Sequence, residues 1–165
     1  MSKLEHIQSK IMTPEALVSL VRRWQQAGEK VVFTNGCFDI LHYGHVDYLH
    51  RAADTGHRLV VALNTDASVS RLKGPHRPLQ NEASRSLVMA ALECVSAVTF
   101  FDHPTPLELI RLLKPNVLVK GADYTLDQVV GAPDVLGWGG EVHTIPLSEG
   151  YSTTAIERRA QQKNF

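Results

Sequence analysis

The chain has 165 residues, 44% hydrophobic and 21% charged, which suits one globular domain with a core of its own. Its 17 Lys and Arg balance 17 Asp and Glu, so neither nucleic acid nor a membrane surface is an expected partner. Only Cys37 and Cys94 are present, against a disulfide framework or Cys-based zinc centre, and the polar N-terminus and lack of a membrane-length apolar run predict a cytoplasmic location.

Residues 1–12 read as a flexible leader. Thr13-Pro14-Glu15 is a helix start, with an N-cap hydroxyl and proline in the first turn, and Leu17, Leu20, Val21 and Trp24 give the helix an apolar face up to Gly28. Val31-Val32-Phe33 predicts a buried strand that turns at Thr34-Asn35-Gly36. A helical pattern follows His42 and His45, carried by Val46, Leu49 and Ala53 until Gly56. Leu59–Leu63 is a second strand, apolar without alternation, as parallel strands covered on both faces are. Asn64-Thr65-Asp66 ends it with the means to cap a short helix.

Residues 71–78, basic and broken by glycine and prolines, read as a mobile loop. Asn81 caps the next helix, which carries Arg85. Ala97–Phe101, Val117–Val119 and Val142–Ile145 are further strands, and Thr105-Pro106 opens a helix between the first two. Residues 124–140 are ambiguous. Ser152-Thr153-Thr154 leads a final helix with a basic, frayed tail. Alternating strands and helices predict a Rossmann-like three-layer α/β/α fold with a mainly parallel sheet of about five strands. In such sheets ligands sit at the carboxyl ends of the strands. The polar clusters Asn35–His45, Asn64–Asp66, Gly121–Asp123 and Ser148–Thr154 all follow a strand, so the fold gathers them on one rim.

His42 and His45 share a helix face. Alone they fit three roles: helix capping with a surface histidine, a metal pair, or phosphate binding. A metal pair lacks an obvious third ligand, and HxxH spacing is less apt than HxxxH. Gly44 lets a ligand approach the backbone closely, and a helix start after a strand offers free N–H groups, which favours phosphate. There is no G-x-x-x-x-G-K-[ST] and no G-x-G-x-x-G after the first strand, against a P-loop enzyme and a dinucleotide redox enzyme.

Asn35-Gly36-Cys37-Phe38-Asp39 followed by His42-Tyr43-Gly44-His45 resembles the His-x-Gly-His signature of the cytidylyltransferase-like nucleotidyltransferases. Ser152-Thr153-Thr154, after Glu149-Gly150-Tyr151, resembles their second signature. The resemblance runs from about Val31 to the final helix. Within the family it is nearest to the adenylyltransferases of ADP-heptose synthesis, through TNGCFDILH, RLKG with RP, LVKGADY and GYSTT. No kinase-sized region is present, so a free-standing form is expected, with 1–165 as a single nucleotidyltransferase domain.

The resemblance implies joining of ATP and D-glycero-β-D-manno-heptose 1-phosphate to give ADP-heptose and pyrophosphate, for the inner core of a bacterial lipopolysaccharide. It implies that His42 and His45 donate to the triphosphate, with Lys73 closing over it and Arg85 adding charge. Asn35, Gly36, Cys37, Phe38 and Gly44 would line the nucleotide, and Gly121 and Asp123 would lie beside its base or ribose. Ser152, Thr153 and Thr154 would hold the β- and γ-phosphates, with Gly150 and Tyr151 also at the nucleotide. Asp39 and Arg77 would face the sugar phosphate. Mg2+ would bridge phosphates without a dedicated set of protein ligands, and a homodimer is expected. Plainer roles stand beside these: solvated loop charges for Lys73 and Arg77, a surface ion pair for Arg85, a turn brace for Asp39, an N-cap for Ser152. Two other functions compete, a CTP-using glycerol 3-phosphate cytidylyltransferase and a non-catalytic nucleotide-binding regulatory module.

Overall fold

The computed structural model describes residues 1–123 and 125–162. Helices α1 (Lys3–Ser9) and α2 (Pro14–Gln26) precede strand β1 (Val31–Gly36). The chain continues through α3 (Tyr43–Ala53), β2 (Arg58–Asn64), α4 (Asp66–Lys73), α5 (Glu82–Ala90), β3 (Val95–Phe101), α6 (Leu107–Leu113) and β4 (Val117–Gly121). A 3-10 turn (Leu126–Gln128), α7 (Ala132–Gly137), β5 (Glu141–Ile145) and α8 (Thr153–Gln162) complete it. Thr13, Thr65 and Asn81 cap α2, α4 and α5 through their side-chain oxygens, each accepting from a backbone N–H three residues on.

The five strands form one parallel sheet in the order β3-β2-β1-β4-β5. Alternate residues of each strand feed opposite cores. Val31 and Phe33 point to one, with Leu17 and Val21 of α2, Leu109, Ile110 and Leu113 of α6 and Val135 of α7. Val32 points to the other, with Leu49 and Ala52 of α3 and Met89 and Ala90 of α5. Both faces are therefore covered, which is why the strands are unbroken apolar runs. Strand order reverses between β1 and β4, so the loops after them leave in opposite directions and open a crevice between.

Residues 1–12 do not form a loose leader. Ser2 and Glu5 make a reciprocal capping box at the start of α1. Lys10 Nζ donates to the Val95 carbonyl at 2.9 Å, and Ile11 bridges Val98 as a short parallel extension of the sheet edge. Lys73 is not on a loop either: α4 runs through it and stops at Gly74, whose φ of 101° favours glycine. Within 124–140 the described residues form the 3-10 turn and α7. Tyr124 of the LVKGADY motif and residues 163–165 of the tail lie outside the described residues.

Candidate active site

At the carboxyl ends of the strands lies a cleft of three adjoining lobes. The first, about 300 Å³, is walled by Asn35 and Cys37 of β1 and its loop, Asn64 of β2, Thr105 after β3, Lys120 of β4 and Gln128. The second, about 350 Å³, shares Asn35, Gly36, Cys37 and Lys120 with the first and adds Phe38, His45, Lys73, Gly121, Asp123 and Thr153. The third, about 260 Å³, shares His45, Lys73 and Thr153 with the second and adds His42, Gly44, Tyr151, Ser152 and Thr154. The cleft thus draws on β1, α3, the end of α4, β4 and the start of α8.

The loop after β1 makes this possible. Phe38 takes a left-handed φ of 46°, a sparsely populated conformation for a bulky residue and of a kind that clusters at functional sites. Its ring lies where a side chain on Gly36 would collide, 2.8 Å from an added Cβ. That ring meets His45 edge-on at 5.1 Å between centroids, and His45 stacks on His42 at 3.8 Å. Gly44 packs under both the His42 ring and Tyr151, at 3.2 and 3.1 Å from an added Cβ. Tyr151 in turn meets the Tyr43 ring. The second signature is thereby seated on the first.

Burial pushes the His45 pKa down to about 4, helped by the neighbouring His42 and Lys73 and opposed by the Ile40 carbonyl. Burial lowers the His42 pKa as well. Both imidazoles are therefore neutral near pH 7 in the free protein. The Nδ1 atoms of both are buried without a well-formed hydrogen-bond partner among the described residues. Lys73 stands between the second and third lobes. Ser152 Oγ accepts from Ala155 N at 3.1 Å and so caps α8, leaving Thr153 and Thr154 at the mouth of the third lobe.

Of three residues expected to touch ligand, Arg85 and Arg77 line none of the three lobes, and Asp39 lines the second lobe with its carboxylate engaged in the scaffold. The Arg85 side chain is fully enclosed. It donates to the Cys37 carbonyl at 2.8 Å, the Gln80 carbonyl at 3.1 Å and Asp66 Oδ1 at 2.7 Å, so it braces the cleft loop from behind instead of reaching phosphate. The Asp39 carboxylate, buried, accepts from Arg77 Nη1 at 2.7 Å, Leu79 N at 2.8 Å and Gln80 N at 2.9 Å. Burial by itself would raise its pKa, but the Gln80 and Leu79 N–H groups and the Arg77 guanidinium outweigh it and hold the carboxyl below its ordinary value. Arg77 spends its other arm on Glu157 of α8 at 2.5 Å. Asp39 and Arg77 thus tie the β1 loop, the 74–81 segment and α8 together. Gly150 does not appear among the lining residues of the three lobes.

Lys120 was not expected in the site, yet it stands at its centre. Its ammonium donates to Asn35 Oδ1 at 3.0 Å, and burial lowers its pKa, opposed by Cys37. Its place in LVKGADY, as the charge that ends the apolar run Val117-Leu118-Val119, was the available signal. Tyr48 was missed too: it lines the second lobe, its hydroxyl bonded to Thr34 Oγ1 at 2.7 Å and its pKa pushed by burial to about 12.

A family model described as cytidylyltransferase-like matches residues 33–159. The chain belongs to that family. Among cytidylyltransferase-like relatives, the protein named bifunctional protein HldE of Gluconobacter oxydans is 58% identical over 147 residues, 89% of this chain and 31% of that protein. The HldE of Magnetococcus marinus is 59% identical over 139 residues, 84% of this chain and 28% of that protein. The chain thus spans about a third of the length of the curated relatives it matches. A lipopolysaccharide core biosynthesis protein from Thermoplasma volcanium superposes with a TM-score of 0.61 at 28% identity, over 76% of this chain and all of that one. A pantoate-beta-alanine ligase from Francisella tularensis superposes at 0.63 with 13% identity, covering 92% and 76%, which shows a shared fold. The two signatures read from the sequence are therefore those of a nucleotidyltransferase domain on a parallel α/β sheet. Among the described residues no helix is long and apolar enough to cross a membrane.

Proposed function

We propose that this domain transfers the adenylyl group of ATP to D-glycero-β-D-manno-heptose 1-phosphate, releasing pyrophosphate. One observation carries the reading: a single cleft runs from a phosphate grip of His42, His45, Lys73, Thr153 and Thr154 to a lobe lined by neutral amides. The name of the Thermoplasma protein, a lipopolysaccharide core biosynthesis protein, supports a sugar-bearing acceptor.

A sugar phosphate oxygen attacks the α-phosphorus in line. The new O–P bond forms as the bond to the β-phosphate oxygen breaks, and its electron pair leaves on pyrophosphate. The attacking oxygen is already an anion, so the site needs no general base. Its task is alignment and charge neutralisation. Neutral His42 and His45 each donate one N–H, and the arriving triphosphate favours a second proton on them. Lys73 adds a mobile cation, and Thr153 and Thr154 offer hydroxyls and backbone N–H groups at a helix start. Gly121 and Asp123 flank the second lobe on the nucleoside side.

Bound Mg2+ would neutralise further phosphate charge. Among the described residues no group of three or more His, Cys, Asp or Glu side chains is placed to hold a metal. The cleft's donors are chiefly cations, imidazoles and hydroxyls, a set that fits an ion brought in by the phosphates, with Asp123 and the scaffold-bound Asp39 as its carboxylates. We extend the proposal to a homodimer, which light scattering tests. The deciding experiment is a pyrophosphate-release panel crossing ATP and CTP with sugar 1-phosphates and glycerol 3-phosphate. Turnover with ATP and the heptose phosphate is expected. Preference for CTP with glycerol 3-phosphate would replace this reading, and tight ATP binding without release on any acceptor would favour a regulatory module.

A further inference from the structure

With Asp39 and Arg77 committed to the scaffold, the acceptor phosphate needs another partner. The three lobes lie in a row: the first and third share no residue, and each overlaps the second. In-line displacement needs such a row, because the attacking and leaving oxygens lie on opposite sides of the phosphorus. The third lobe holds His42, Lys73 and the α8 hydroxyls, so the leaving pyrophosphate belongs there. The α-phosphorus then falls in the second lobe, and the attacking oxygen must come from the junction with the first.

The cation at that junction is Lys120. Among the described residues it is the only Lys or Arg lining the first lobe, and with Lys73 one of two lining the second. Its ammonium is held at 3.0 Å by Asn35 Oδ1 at the end of β1, the strand beside it in the sheet. The rest of the first lobe offers amides from Asn35, Asn64 and Gln128, the Thr105 hydroxyl, and apolar walls from Phe101 and Leu118. Neutral donors and acceptors on an apolar floor suit hydroxyls on a ring, not a second anion.

We infer that Lys120 grips the acceptor's phosphate and aims its oxygen at the α-phosphorus, with the polyol body of the acceptor lying against Asn64 and Gln128 in the first lobe. This rests on the adenylyl-transfer reading but adds a residue and a subsite to it. A residue that touches the attacking group should act on acceptor use and spare the triphosphate grip. An Arg in its place keeps the charge and restores part of the function, whereas a merely structural lysine would not discriminate between the two substrates.

The test uses the full chain and the best acceptor that the panel identifies. Lys120→Met is expected to raise KM for the acceptor at least tenfold while leaving KM for ATP within about threefold. Lys120→Arg is expected to recover a substantial part of the loss. Calorimetric titration with a non-hydrolysable ATP analogue present gives a readout independent of turnover. Wild type should bind the phosphorylated sugar much more tightly than the unphosphorylated one, and Lys120→Met should lose most of that ratio. If Lys120→Met fails to fold, Lys120→Gln and Lys120→Arg carry the same comparison.

Wild-type turnover of the heptose phosphate with an unchanged acceptor KM in the variant overturns the Lys120 assignment and leaves the function standing. A rise confined to the ATP KM does the same. Turnover of some other phosphate monoester with the Lys120 dependence intact overturns the heptose reading and keeps the assignment. A wild type that binds no phosphorylated acceptor overturns both.

Discussion

Asp39→Ala separates a structural from a substrate-facing role for the most enclosed carboxylate in the cleft loop. Its side chain is 1% exposed and accepts three hydrogen bonds. Arg77 retains Glu157 after the substitution, so its charge is not stranded. The Leu79 and Gln80 N–H groups lose their acceptor. A fully buried donor left unsatisfied costs about 1–3 kcal/mol, but both bonds are part-buried and Leu79 is exposed, so the pair costs about 2 kcal/mol. For a chain of this size each kcal/mol lowers Tm by about 2–4 °C, and a fall of about 4–8 °C is the central expectation.

Asp39→Asn keeps one acceptor oxygen but turns an NH2 toward a donor, and should lose about half as much. The effect also has a pH signature. The folded pKa of Asp39 lies below its unfolded value, so its stabilisation is complete above the unfolded pKa and is lost as pH falls through the folded one. The gap in Tm between wild type and Asp39→Asn should therefore hold through neutral pH and close only below about pH 4. Thermal unfolding followed by circular dichroism across that range is the assay. A Tm for Asp39→Ala within 2 °C of wild type, roughly its margin of error, with a raised acceptor KM, would refute the scaffold role.

His45→Gln should cut kcat about 10²–10³-fold, the usual cost of one lost transition-state donor, with Tm at pH 7.5 near wild type; stopped-assay turnover within about threefold would contradict it. His45 also predicts a stability slope. Its folded pKa, about 4, lies below the unfolded value, so the unfolded chain binds the extra proton first and wild type loses stability as pH falls from about 6.5 toward 4. His45→Gln should flatten part of that slope in denaturant titrations, and an unchanged slope would assign it to other groups. Gly44→Ala places a methyl 3.1 Å from Tyr151 Cβ and 3.2 Å from the His42 ring, so both signatures must shift. ATP KM should rise about tenfold, as about 1.4 kcal/mol of lost binding implies, and a wild-type KM would show that the two signatures move freely.

The strands were legible because burial on both faces forces unbroken apolar runs, and the rim of polar clusters followed from the parallel sheet. What escaped depended on partners distant in sequence. Asp39 meets backbone N–H groups about forty residues on, which no local pattern marks. Arg85 had a visible sign: it lies four residues before Met89 on the buried face of α5, an unusual place for a charge meant for solvent. The α1 helix was also announced, by Ser2 and Glu5 at capping-box spacing, but the polar composition of 1–12 obscured it. Lys73 ends α4 while Gly74, Pro75 and Pro78 just beyond it give the segment from Arg71 the composition of a loop. The third lobe was readable through the two signatures, whereas the first lobe also draws on Asn64, Thr105 and Gln128, which lie outside the quoted motifs.

The bridge from Arg77 to Glu157 ties three segments around the cleft into one unit. Helix α8 buries no side chain fully, and its Ala155, Ile156 and Glu157 are half-buried. The Arg77 guanidinium joins it to the body, with its other arm anchored on the enclosed Asp39. The Arg77 and Glu157 side chains are only 16% and 25% exposed, and breaking an enclosed pair is costly, so a change at Arg77 would reach the start of α8 through Glu157 and the β1 loop through Asp39 at once.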